Sequence, residues 1–240
     1  MPSLREAQLR HSACYLDLLA KADEEFQRGG SSAEAGLRLF EESWENIEIG
    51  QTSAREQSGE CGRAAELCCQ YSLMGANLLN LRFNPRQHLQ WIEASLSVAR
   101  EIEHPDAEAI LLSNMGLVYE DLGELKRNLE CQQRSLSLCR ESGQRDIEET
   151  TLGNLGLAYY ALSQWRDAID CFEQQLELAQ AIGDQRGHAN ALLDLGHCYS
   201  YLGEIPRAIE FYERAGAIFH ASGNRRGEGQ VIGEIGRAHV

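Results

Sequence analysis

The strings NMGLVY at Asn114–Tyr119, NLGLAY at Asn154–Tyr159, DLGHCY at Asp194–Tyr199 and EIGRAH at Glu234–His239 repeat one short pattern. They place glycine at 116, 156, 196 and 236, a constant step of 40 residues. Other positions keep the step: Leu122, Leu162 and Leu202; Leu136 and Leu176; Cys131 and Cys171; and glycines 143, 183 and 223. A weaker copy precedes them at Gly75, 41 residues before Gly116, with the extra residue placed in the loop around Asn84-Pro85. A period of this length marks stacked supersecondary units rather than one globular core.

Within a period the apolar residues fall at helical spacing, as in Leu152, Leu155, Tyr159 and Leu162, then Ala168, Phe172, Leu176 and Ala179. Each period therefore reads as two amphipathic helices. Gly183-Asp184 and Gly223-Asn224 give a glycine stop followed by a capping residue. The four prolines, Pro2, Pro85, Pro105 and Pro206, all fit loops or first helical turns. Nothing alternates as a strand does. The expected fold is all-α, a right-handed α-solenoid of stacked antiparallel hairpins with a concave groove. The expected hairpins span about 59–103, 104–143, 144–183 and 184–223, followed by an unpaired helix over 224–240. Residues 1–58 read as a separate N-terminal segment packing on the array, two amphipathic helices (Arg10–Phe26 and Gly36–Gly50) joined by a Gly/Ser turn.

Composition narrows the functions. The 240 residues carry 22 Lys and Arg against 37 Asp and Glu, a formal charge of −15, which argues against binding a phosphate backbone. Residues 1–100 hold 10 basic and 14 acidic side chains, residues 101–240 hold 12 and 23, so most of the acidity lies in the second part. No apolar run approaches membrane-spanning length, and charges interrupt the start of the chain, so a soluble, cytoplasmic protein without a membrane partner is expected. The eight cysteines are scattered with no C-x-x-C pair, as unpaired thiols in a reducing compartment.

No catalytic or cofactor chemistry is called for. The seven histidines (11, 88, 104, 188, 197, 220 and 239) show no metal-ligand pairing. No Walker-type phosphate loop and no Gly-Lys dipeptide occur, and Gly227, Gly229 and Gly233 follow no strand. The reading is of a protein that is not an enzyme, with no cofactor, no metal and no nucleic-acid partner.

The recurring L-G-x-x-Y, with Ala168 and Ala208 twelve residues past the glycine and Phe172 and Tyr212 sixteen past it, resembles the tetratricopeptide repeat. The 40-residue form with I-G-D-x-R-G at Ile182–Gly187 is similar to the long-helix variant of bacterial signalling proteins and animal G-protein-regulator scaffolds. The repeat at Gly116 departs from it, with Asn128 and Gln132 where the Ala and the aromatic stand, and a looser hairpin is expected there. Residues 1–58, through His11, Tyr15, Leu19, Phe26, Gly29-Gly30, Leu37, Phe40 and Trp44–Ile47, resemble the helical segment preceding the repeats in STAND-class signalling ATPases. Only four residues follow Gly236, so the chain reads as cut from a longer array.

The resemblance implies a groove lined by the first helix of each hairpin, two before, one after and four after the glycine. These positions hold Asn114, Leu117 and Glu120; Asn154, Leu157 and Tyr160; Asp194, His197 and Ser200; and Glu234 and Arg237, with Asn190 and Tyr201 joining the set. An Asn side chain both donates to and accepts from an extended peptide backbone. The family's chaperone-binding members clamp an acidic tail with Lys and Arg, whereas these positions are Asn, Asp and Glu until Arg237. The partner expected is a protein or peptide with a neutral or basic segment. Two settings follow from the resemblance: the sensor region of a larger bacterial signal-transduction protein, or a stand-alone scaffold bridging partners. The unpaired last helix offers a route to self-association.

Overall fold

The computed structural model describes residues 3–238, which leaves Met1, Pro2, His239 and Val240 outside the described residues. Among the described residues the chain is helical, with twelve α-helices, a 3-10 turn at Ser58–Glu60 and no strand. It folds as two compact units, with the boundary between Leu122 and Gly123. The expected division near residue 58 lies inside the first unit.

The first unit holds α1 (Leu4–Arg28), α2 (Gly30–Glu56), α3 (Gly62–Met74), α4 (Ala76–Arg82), α5 (Pro85–Glu101) and α6 (Pro105–Asp121). The Gly/Ser turn expected between the first two helices shrinks to Gly29 alone, with Ser31 and Ser32 helical. Helix α1 starts on a capping box, in which Ser3 accepts from the Glu6 N–H while Glu6 accepts from the Ser3 N–H. Its inner face buries Leu16, Leu19 and Ala22. The helix expected to run through Gly75 is broken there into α3 and α4. Asp23, buried in α1, holds the broken end: its carboxylate accepts from the Leu78 N–H at 3.1 Å and from Asn77 Nδ2 at 2.9 Å. Pro85 and Pro105 occupy first turns, and His104 caps α6 by accepting from the Ala107 N–H.

The second unit holds α7 (Leu125–Ser142), α8 (Arg145–Ala161), α9 (Trp165–Ile182), α10 (Gln185–Tyr201), α11 (Ile205–Ala221) and α12 (Arg225–Ala238). Helices α8 and α9, and α10 and α11, are antiparallel hairpins stacked on one another, with α7 packed on α8 and α12 on α11. Their shared core joins Ala168, Phe172, Ala189, Leu192, Leu195, Cys198, Ala208, Tyr212, Ala215 and Phe219. Gly156 and Gly196 let their two hairpins close. A methyl on Gly156 would lie 2.5 Å from Phe172 Cε1, and one on Gly196 would run into the Tyr212 ring. Both rings are fully buried. Asn128 and Gln132, the departures in α7, are buried as completely and hydrogen-bond each other at 3.2 Å. Helix α12 docks through Val231 and Ile235 and leaves Ile232 70% exposed.

The turn inside each hairpin needs a left-handed residue. Gly203 (φ 79°) supplies it in the α10–α11 turn, but Ser163 (φ 59°) stands at the equivalent position between α8 and α9. The eight cysteines, all among the described residues, form no disulfide, and burial pushes the thiols of Cys171 and Cys198 up to about 12.

Two substitutions test this packing by chemical denaturation. Gly196→Ala destabilises the second unit by about 1–3 kcal/mol, the usual penalty of overpacking a core. Ser163→Gly stabilises it by roughly 1 kcal/mol, because the left-handed strain of a residue with a Cβ is relieved.

Candidate functional site

The described helices place the expected groove residues in two sets. Asn114, Leu117 and Glu120 lie along α6 of the first unit, Asn114 and Glu120 half-buried and Leu117 more exposed. The second unit carries the others, and there the structure brings them together.

Asn154 and Leu157 from α8, with Asn190 and Asp194 from α10, line one concavity of about 230 Å³. The rest of its lining comes from residues outside the expected groove set: Glu149, Thr150 and Gly153 on α8, Gln175 on α9, and Asp184, Arg186 and Gly187 at the start of α10. Asp184 is the N-cap of α10 and accepts from the Arg186 N–H at 2.9 Å. Glu149 is buried, and its Oε1 accepts from Gln175 Nε2 at 2.7 Å. Burial, reinforced by the Asp184 carboxylate, raises the Glu149 carboxyl above its ordinary range, against the hydrogen bonds from Gln175 and Thr150 and the Arg186 charge.

Beside this concavity lies a ring cluster. Tyr160 meets Trp165 edge-on with centroids 4.9 Å apart and Tyr201 at 5.4 Å, while Trp165 and Tyr201 stack at 4.7 Å. Tyr201 is 65% exposed, so the cluster offers an open aromatic surface. His197 connects the two features. Its Nδ1 lies 3.6 Å from Asp194 Oδ1, and its Nε2 lies 3.5 Å from Glu234 Oε1 on α12. Arg237 donates to that same Glu234 oxygen, so the one basic residue of the expected groove is already engaged. The surface across α8, α10 and α12 is thus polar and acidic at Asn154, Asp194 and Glu234, and aromatic further along the helices at Tyr160, Trp165 and Tyr201.

The sequence pattern passed over Trp165, whose signal is an aromatic nine residues past the glycine, where the neighbouring repeats have Leu125 and Ile205. Outside this surface, His88 is a buried core residue whose imidazole burial pulls down to about 4. Among the described residues no group of three His, Cys, Asp or Glu could hold a metal ion. No helix among them is long and apolar enough to cross a membrane.

Comparison with known proteins agrees with the helical-repeat fold. The tetratricopeptide repeat family model matches residues 107–177 and 147–219, two overlapping windows, so the chain carries tetratricopeptide repeats across that stretch. The sequence gives no match among curated proteins. Solved structures share the fold. A putative kinesin light chain with tetratricopeptide-like repeats from Podospora anserina is 13% identical at a TM-score of 0.63, over 89% of this chain and 98% of that one. Aspartyl phosphate phosphatase F of Bacillus subtilis is 12% identical at 0.64, over 100% of this chain and 73% of that one. A STAND protein with a tetratricopeptide repeat sensor from Pyrococcus horikoshii is 18% identical at 0.56, over 90% of this chain but 36% of that one.

The raised Glu149 fixes the sign of a stability effect. A carboxyl whose folded pKa exceeds its unfolded one favours the fold below the unfolded value, and loses that contribution as pH rises through the folded value. Glu149→Gln keeps an acceptor for Gln175 and removes the charge. The variant melts above wild type at pH 7.5, by roughly 2–4 °C for each kcal/mol relieved. The difference shrinks as pH falls toward the ordinary value of 4.5. Paired thermal melts at several pH values check it.

Proposed function

We propose that this tetratricopeptide-repeat chain is a protein-interaction module that holds an extended, neutral or basic segment of a partner protein against α8, α10 and α12. The observation that carries the reading is the convergence of Asn154, Asn190 and Asp194 on one concavity flanked by an open aromatic cluster. Asn amides can hydrogen-bond a peptide backbone of any sequence. The ring surface adds apolar area with little conformational entropy to lose. Asp194 and Glu234 set the sign of charge that is welcome. Repeat solenoids commonly present extended binding surfaces of this kind.

The setting proposed is the sensor region of a larger signalling protein, whose partner binds one state of an attached switch better than the other. The resemblance of residues 1–58 to the segment before STAND repeats supports it, as does the fold shared with a STAND protein's repeat sensor. A repeat sensor of this kind needs no catalytic group of its own.

Panning a phage-displayed library of random twelve-residue peptides on the folded chain tests the reading. Wild type enriches peptides whose binding falls at least about tenfold on Asn154→Ala/Asn190→Ala/Asp194→Lys, as expected when charge-assisted and backbone hydrogen bonds are lost together. Binding also weakens as salt rises. Peptides that bind both proteins equally place the contact on another face.

A further inference from the structure

One repeat breaks the packing rule of its neighbours at two matched positions. Seven residues before the recurring glycine the chain has Ala109, Glu149, Ala189 and Gly229; nineteen after it, Ser135, Gln175 and Ala215. In the α10–α11 hairpin this pair is Ala189 and Ala215, both buried in the shared core. In the α8–α9 hairpin the same two places hold Glu149 and Gln175, 4% and 6% exposed and hydrogen-bonded to each other. Two glycines clear the room they need. A methyl on Gly187 would run into Glu149 Oε1, and one on Gly153 would lie 2.7 Å from Gln175 Nε2.

This pair does little that alanines would not do better for folding. Burying a carboxylate costs stability, and the Arg186 charge offsets only part of that cost, since the Glu149 carboxyl stays above its ordinary range. The second polar group is also left incomplete, since Gln175 Oε1 is buried with no hydrogen-bond partner. Both residues line the concavity that Asn154, Asn190 and Asp194 share. Charged groups on its wall are the Glu149, Asp184 and Asp194 carboxylates against the single Arg186 guanidinium. The wall of the cavity thus carries three carboxylates to one guanidinium and is short of positive charge.

We infer that this cavity is a subsite for one basic side chain, Lys or Arg, of the partner segment. The incoming cation pairs with Glu149 and Asp184 and brings the N–H donors that the Gln175 carbonyl lacks. The buried carboxylate is then a device of recognition, costly to the free protein and compensated in the complex. The inference rests on the groove reading above and adds the chemistry of one anchor residue.

The test uses peptides selected on wild type and two variants that keep the fold. Glu149→Gln retains the acceptor for Gln175, and Asp184→Asn retains the cap of α10. Wild-type selections share one position fixed as Lys or Arg. Replacing that residue by norleucine in a synthetic peptide weakens binding about tenfold on wild type, the scale of one charged hydrogen-bonded pair, and less than about twofold on either variant. Selected peptides that need Asn154 and Asn190 but share no basic position overturn the subsite and leave the groove reading standing. A norleucine replacement that costs the same on wild type and on both variants overturns it too, because the basic residue then sits elsewhere. Selections that ignore the groove altogether overturn both, and mark the cavity as a place for ordered water only.

Discussion

Everything in the second unit depends on how closely two helices of a hairpin can approach at one residue. Gly156 and Gly196 lie against the rings of Phe172 and Tyr212, leaving no space for a methyl. That approach buries an aromatic side chain completely in each hairpin, and it also fixes the rotation of the first helix about its own axis. At about 100° per residue, positions two before, one after and four after the glycine then fall on one face, centred roughly a quarter turn from the point of approach. One steric constraint therefore delivers Asn154, Leu157 and Tyr160 on α8, and Asp194 and His197 on α10, to one common surface.

The same geometry explains why Glu149 is exceptional. Seven residues before the glycine is about 20° from the line of approach, on the face that must pack, so alanine or glycine stands there in the other repeats. Glutamate at that place sits at the edge between core and groove, buried yet lining the concavity. A carboxyl held above its ordinary range, beside an amide carbonyl with no partner, is the kind of local inconsistency that functional sites show. Hydrophobic packing accounts for the rest of the hairpin, but not for these two residues.

The repeat register made most of the fold legible. From α5 onward the helices fall inside the spans set by the 40-residue step, with prolines and glycines at the positions expected. The register failed where a single interaction outweighs periodicity. Gly75 reads as the middle of a helix, yet the helix breaks there, with Asp23 of another helix capping the new end. Gly29 alone separates α1 from α2, where the sequence reads as a Gly/Ser turn between two shorter helices. For the site, the pattern found the residues that point from the first helices, because helical spacing determines direction. It missed Gln175 and Asp184, which reach the cavity from the partner helix and from a cap, since no single-helix spacing relates them to Asn154. Glu149 carried a signal, its size against Ala109, Ala189 and Gly229, that shows only when the repeats are compared position by position.

A buried carboxylate that awaits a cation should titrate differently in the free and the occupied groove. A pH titration of the Glu149 carboxyl carbon by nuclear magnetic resonance reads this directly, with the free protein and with a bound peptide carrying one Lys or Arg. The midpoint is expected above the ordinary carboxylate range in the free protein and falls when the peptide binds, as an opposite charge favours the ionised form. An ordinary midpoint in the free protein, or one that the peptide does not move, would contradict the role given to Glu149.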